Sequence, residues 1–135
     1  MMLQNNKTPI YIIKGEVVHG KALGRTVGKP TANLKAEKNS IIPPSGVYAT
    51  IGIIDGKRYK AVTNVGTRPS VDNDNCVTIE TFFLDLNEDL YGKDITLEFG
   101  GFIRPTIKFE NLTQVSEQIQ KDIEVAYSIF YIGMV

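Results

Sequence analysis

The pair Asp55-Gly56 stands between two β-rich runs, Gly46 to Ile54 (GVYATIGII) and Lys57 to Val65 (KRYKAVTNV). A two-residue hairpin of type I′ needs positive φ at both central positions, which glycine accepts freely and aspartate tolerates. Asp-Gly in this setting therefore predicts an antiparallel hairpin, and with it a sheet rather than a helical bundle. Ile10 to His19, rich in Ile, Val and Tyr, reads as an earlier strand; Val77 to Leu86 and Asp94 to Arg104 read as later ones, joined by a turn around Asn87 to Lys93. Gly20 to Lys29, with three glycines and three cations, is a loop. Pro43-Pro44 closes a second loop, and Arg68 to Asn75, with Pro, Ser and a run of Asp and Asn, forms a third.

Only the end of the chain has a helical period. Leu112, Val115, Ile119, Ile123, Ala126 and Phe130 recur every three or four residues and paint one face, with Asn111 or Thr113 available as the cap. That stripe reads as core packing; the alternative is that one end of it also borders a pocket. Five or six short strands and one helix predict a small antiparallel barrel with the helix packed against it.

With 135 residues, 42% hydrophobic and 22% charged, the chain is expected to be one domain with a real core. No repeat or linker divides it, so residues 1–9 read as a tail and 10–131 as the domain. Fifteen basic residues balance fifteen acidic ones. A nucleic-acid binder usually shows a basic excess, so the expected partner is a small molecule, an anion included, and not nucleic acid. The single cysteine, Cys76, can form neither an internal disulfide nor a metal site alone, which fits a reducing compartment. Met1 to Thr8 is polar, and no apolar run approaches the ~20 residues that span a bilayer. A cytoplasmic protein without membrane contact is expected. Zero charge and the lack of heptads point weakly to a monomer.

The segment from Gly20 to Asn33 carries the most chemistry. Gly20, Gly24 and Gly28 let backbone amides approach an anion, and Lys21, Arg25 and Lys29 add positive charge. Three residues separate Gly24 from Gly28 and Pro30 follows Lys29, so this is not a Walker A loop, and the spacing does not fit the dinucleotide fingerprint. A solvated turn is the plain alternative. Pro30 starts a turn that fixes the Thr31 hydroxyl and the Asn33 amide oxygen in relation to each other. Two neutral oxygens beside a phosphate suit Mg²⁺; they also suit a turn that bonds only its own backbone. Along the strand at Val77 to Leu86, Glu80 shares a face with Thr78, Phe82, Leu84 and Leu86, an apolar file in which desolvation would raise its pKa. A solvent-reaching glutamate on an edge strand is the other reading. His19, the only histidine, reads as structural.

Taken together, these motifs resemble the riboflavin kinase family. The resemblance rests on Gly15-x-Val17-Val18-x-Gly20, Gly28-x-Pro30-Thr31-Ala32-Asn33 and Gly46-Val47-Tyr48. It continues through Asn64-Val65-Gly66-x-Arg68-Pro69, Ile79-Glu80-Thr81-Phe82-Phe83-Leu84-Asp85 and Leu90-Tyr91-Gly92-Lys93. Ile103-Arg104-Pro105, Lys108-Phe109 and Gln118-Ile119-x-x-Asp122 complete it, so it covers residues 10–131 in family order.

The resemblance implies a six-stranded antiparallel Greek-key barrel with a carboxy-terminal helix, and transfer of the γ-phosphoryl group of ATP to the terminal ribityl hydroxyl of riboflavin, giving FMN and ADP. It implies Thr31 and Asn33 as ligands of Mg²⁺, with Zn²⁺ or Mn²⁺ as alternative metals. Gly20, Arg25, Gly28 and Thr31 would meet the nucleotide phosphates, Glu80 would be the base, and Arg68 and Arg104 would lie on the flavin side. The sequence departs from the family pattern at Lys29, where an apolar residue is usual, and at Thr106, where an acid often follows Arg-Pro. Three rival readings stand beside it: a non-catalytic flavin- or nucleotide-binding regulatory module, a kinase lacking the FAD synthetase domain that many bacterial relatives carry in front of it, and a barrel with no ligand.

Overall fold

Asp55 and Gly56 both take positive φ, 51° and 80°, as the hairpin between their flanking runs requires. The computed structural model of the chain describes residues 11–18, 31–69, 75–86, 88–106 and 111–131. Six strands and one helix follow in order: β1 (Tyr11–Val18), β2 (Ala32–Ala36), β3 (Gly46–Ile54), β4 (Lys57–Pro69), β5 (Asn75–Phe83), β6 (Asp94–Arg104) and α1 (Leu112–Tyr131). All neighbouring strands are antiparallel and close into a barrel in the order β1-β2-β5-β4-β3-β6. The hairpin strands β3, β4 and β5 flanked by β2 make the Greek key, and every strand has a partner on each side.

Side-chain alternation sorts each strand between barrel interior and outer face. Ile13 and Val17 of β1, Leu34 of β2, Val65 of β4, Ile79 of β5 and Leu97 of β6 meet in the interior. At the β1–β2 seam a Cβ on Gly15 would run into the Lys35 carbonyl, so that close approach needs glycine. β3 is buried at every position but Ile53, because its outer side is covered as well. There Val47, Ala49, Val62 and Phe82 pack against Ala126 and Ile129 of α1. Asn111 caps α1: its Oδ1 accepts from the Gln114 amide at 2.9 Å.

The barrel departs from the sequence reading in three places. Ala32 and Asn33, read as part of a turn, are strand residues; β2 has only five positions, too few for alternation to stand out. Both ends of the segment read as a loop from Arg68 to Asn75 are strand, paired Arg68 with Cys76 and Pro69 with Asn75. The backbone ladder there outweighs a turn-rich composition. β5 stops at Phe83, short of the expected Leu86, and the chain bends at Leu84 and Asp85. The glycine-rich loop and His19 lie outside the described residues. Among those described, no helix is long and apolar enough to cross a membrane.

Candidate functional site

Strand register builds the site. Asn33 of β2 stands opposite Glu80 of β5, Glu80 opposite Asn64 of β4, Asn64 opposite Val47 of β3, and Val47 opposite Arg104 of β6. Residues directly opposite on antiparallel strands project to the same side, so these five form one row across the barrel. The row lies on the outer face, beyond the end of the patch where Phe82 and Val62 carry the helix. The helix does not seal against it. A cavity of about 110 Å³ remains, walled on the barrel side by Thr31, Glu80, Asn64 and Arg104. Val115, Ile119 and Asp122 of α1 roof it.

At one end of the cavity the Thr31 hydroxyl donates to Glu80 Oε2 at 3.0 Å. Burial pushes the Glu80 carboxyl pKa up from the ordinary carboxylate range, and the Thr31 hydrogen bond only partly opposes that rise. A carboxylate held in this way, with one oxygen engaged, is a competent proton acceptor for an alcohol that enters the cavity. Thr31, Asn33 and Glu80 present oxygen donors, the set that a hard divalent cation prefers. No group of three or more His, Cys, Asp or Glu side chains that could hold a metal occurs among the described residues. A cation at this corner would therefore meet, among the described residues, the Glu80 carboxylate and otherwise neutral oxygens.

The other end is closed by a polar latch. Asp122, 2% exposed, takes Arg104 Nε on Oδ1 and Arg104 Nη2 on Oδ2, both at 2.8 Å. Gln118, one helical turn earlier, donates to Oδ1 at 3.0 Å. A bidentate guanidinium with an added amide donor satisfies a buried carboxylate that would otherwise be costly. Beyond Arg104, the Thr106 hydroxyl reaches Asn64 Oδ1 at 3.3 Å and the Val65 carbonyl at 3.4 Å.

Of the residues singled out in the sequence, Thr31 and Glu80 share the cavity, Asn33 is the strand neighbour of Glu80, and Arg104 lines the far end with its guanidinium on Asp122. Arg68 contributes a backbone position on β4. Gly20, Arg25 and Gly28 lie outside the described residues. The sequence reading gave no role to Asn64, Gln118 or Asp122. Asp122 carried a signal, since it falls one residue before Ile123, on the apolar face of the helix.

Comparison with known proteins places the chain among relatives. The family model described as riboflavin kinase matches residues 8–130. A bifunctional riboflavin kinase/FMN adenylyltransferase of Bacillus subtilis is 38% identical over 122 residues, which are 89% of this chain and 39% of that protein. An RNA-binding riboflavin kinase of the same organism is 37% identical over 112 residues, 83% of this chain and 48% of the other. The chain thus spans less than half the length of these curated relatives. Among solved structures, a Streptococcus pneumoniae chain described as a macrolide-efflux protein superposes with a TM-score of 0.83 at 34% identity, over 88% of this chain and 38% of its own. Riboflavin kinase from Trypanosoma brucei shares the fold with a TM-score of 0.63 at 22% identity, covering 90% of this chain and 80% of that one.

Proposed function

The chain belongs to the riboflavin kinase family, and from that premise we propose that it phosphorylates riboflavin at the terminal ribityl hydroxyl, with ATP as donor and FMN and ADP as products. The observation that carries the reading is the Thr31–Glu80 pair inside the cavity between barrel and helix. Glu80 is the general base. It takes the proton of the attacking alcohol as that oxygen forms a bond to the γ-phosphorus, and the bond to the β,γ-bridging oxygen breaks with its electron pair leaving on ADP. Burial supports the role, because a raised pKa makes the carboxylate a stronger proton acceptor.

Thr31 serves twice. Its hydroxyl proton is engaged by Glu80, so its lone pairs remain for a cation or a phosphate-bound water. Thr31 and Asn33 would hold Mg²⁺, which would supply charge neutralisation at the phosphates when bound, with Zn²⁺ or Mn²⁺ as alternatives at the same oxygens. Gly20, Arg25 and Gly28 would present backbone amides and a guanidinium to the nucleotide, and Arg68 would contact the flavin. The domain that does this spans residues 10–131, in the cytoplasm and as a monomer. Phosphoryl transfer is positioning plus electrostatics, so the loop and the metal matter as much as the base.

The test is FMN formation from riboflavin and ATP, followed by separation of flavins, with and without Mg²⁺. Metal-dependent FMN is expected, and Thr31→Ala should shift the Mg²⁺ titration to higher concentration. Riboflavin returned unchanged at every metal concentration would leave the family fold with a regulatory, binding-only role. An identical titration for Thr31→Ala would remove Thr31 as a ligand.

A further inference from the structure

We propose that Asn64 is a substrate-orienting residue that donates a hydrogen bond to an inner hydroxyl of the flavin's side chain, and that Thr106 is the positioning residue that sets its amide. The inference rests on the kinase reading above and goes one step further, to how a polyol is told from a simple alcohol. Asn64 lines the cavity and is the direct cross-strand neighbour of Glu80. Neighbours of that kind hold their Cβ atoms about 5 Å apart, so both reach one bound chain. When Glu80 receives the terminal hydroxyl, Asn64 faces a position one or two carbons further along.

The chemistry of Asn64 follows from what Thr106 can do. Both of the oxygens that Thr106 approaches, Asn64 Oδ1 at 3.3 Å and the Val65 carbonyl at 3.4 Å, are acceptors. The hydroxyl therefore donates, sharing its one proton between them. Thr106 arrives from the β6 side, two residues beyond Arg104, and takes the oxygen end of the amide. The Nδ2 end is left for the cavity, whose next polar wall residue is Glu80. Glu80 can only accept when ionised, and Arg104 is held by Asp122. With the Thr31 proton already on Glu80, Asn64 is thus the neutral donor left to a ligand among the described wall residues. A polyol oxygen adjacent to the reacting alcohol supplies the acceptor that such a donor needs, and an alkyl chain does not.

The experiment compares riboflavin with a flavin bearing a 5-hydroxypentyl chain, which keeps the terminal alcohol and lacks the inner hydroxyls. The parent should prefer riboflavin in kcat/KM by roughly three- to tenfold through this one contact, the worth of a neutral hydrogen bond. Asn64→Ala and Asn64→Ser should lose that margin by raising the riboflavin KM, with the ATP KM unchanged. Thr106→Val should raise the riboflavin KM in the same direction, and Thr106→Ser should restore it. Asn64 variants that keep the full parental preference overturn the inference, as does a Thr106→Val enzyme that Thr106→Ser does not improve upon. A parent that makes no FMN from riboflavin overturns the kinase reading itself, which is a separate result.

Discussion

On the inner face of β5, Thr81 is 2% exposed and its hydroxyl lies 2.8 Å from that of Thr63, which lies 2.8 Å from that of Thr50. On the outer face, one residue away, Glu80 receives one hydrogen bond among the described residues, from Thr31, and it lines a cavity. Both positions remove polar atoms from bulk water, but only the inner set is complete. Three hydroxyls bonded to one another cost the barrel little and bind β3, β4 and β5 together. A desolvated carboxylate with spare acceptor capacity has a raised pKa and an appetite for a donor. The fold is secured where the polar groups are paired, and chemistry is available where they are not.

Glu80→Gln breaks this contrast most severely. Glutamine keeps the shape and cannot take a proton, so turnover should fall ~10²–10⁴-fold when chemistry limits the rate. The same change should leave thermal stability equal or raised, because a charge is no longer desolvated. The sign in pH follows from burial. The native carboxyl keeps its proton to a higher pH than an unfolded glutamate, near about 4.3, so the folded state binds more protons between those two values. Stability of the parent relative to Glu80→Gln should therefore fall as pH rises through that window and stay level below it. Activity should rise through the same window. Parallel pH–stability curves for the two proteins would mean that Glu80 is solvated as freely in the native state as in the unfolded one.

Asp122→Ala tests whether the outer face is uniformly incomplete. At that end of the cavity the carboxylate is engaged by Arg104 and Gln118, and removing it takes the acidic partner from a guanidinium whose side chain is 17% exposed. Loss of one partner of such a pair costs about 3–5 kcal/mol, which denaturant titration would register as a lowered midpoint. A midpoint equal to the parent's would show the latch to be ornamental. Thr63→Val is the milder probe of the inner set. It removes the central hydroxyl, leaves those of Thr50 and Thr81 without their shared partner, and should cost about 1–3 kcal/mol. Riboflavin KM and turnover should not move, since this side chain points into the sealed interior.

How much of this could be read from the sequence varied with the length over which a pattern runs. The Asp55-Gly56 hairpin was legible because both residues obey a backbone rule and both flanks are long. The face carrying Glu80 was legible by simple alternation, and the structure puts Phe82 of that face under the helix. β2 was not, since five residues give alternation no room and its place between β1 and β5 depends on contacts distant in sequence. Registers are also invisible to a single strand, which is why Asn64 was quoted as part of a motif yet gained no function. Only the antiparallel pairing of Asn64 with Glu80 makes them neighbours. Asp122 is marked by its place on the apolar helix face, but its partner Arg104 lies on β6 and only folding brings the two together.

The smallest effect sharpens the comparison at the roof of the cavity. Asn111 satisfies the Gln114 amide in the first turn of α1, and that turn holds Val115, a buried residue that lines the cavity. Asn111→Ala should cost about 1 kcal/mol, the usual worth of a cap. Because helix ends fray before barrels open, the loss should appear locally: amides of the first helical turns should exchange about fivefold faster, while those of β3 keep the parent's rates. Riboflavin should bind more weakly by a similar or smaller factor, because part of the roof must be ordered again on binding. Faster exchange in β3 and α1 alike would mean that helix and barrel open as one unit, and the distinction between a sealed interior and a looser outer site would then have to be abandoned as a statement about dynamics.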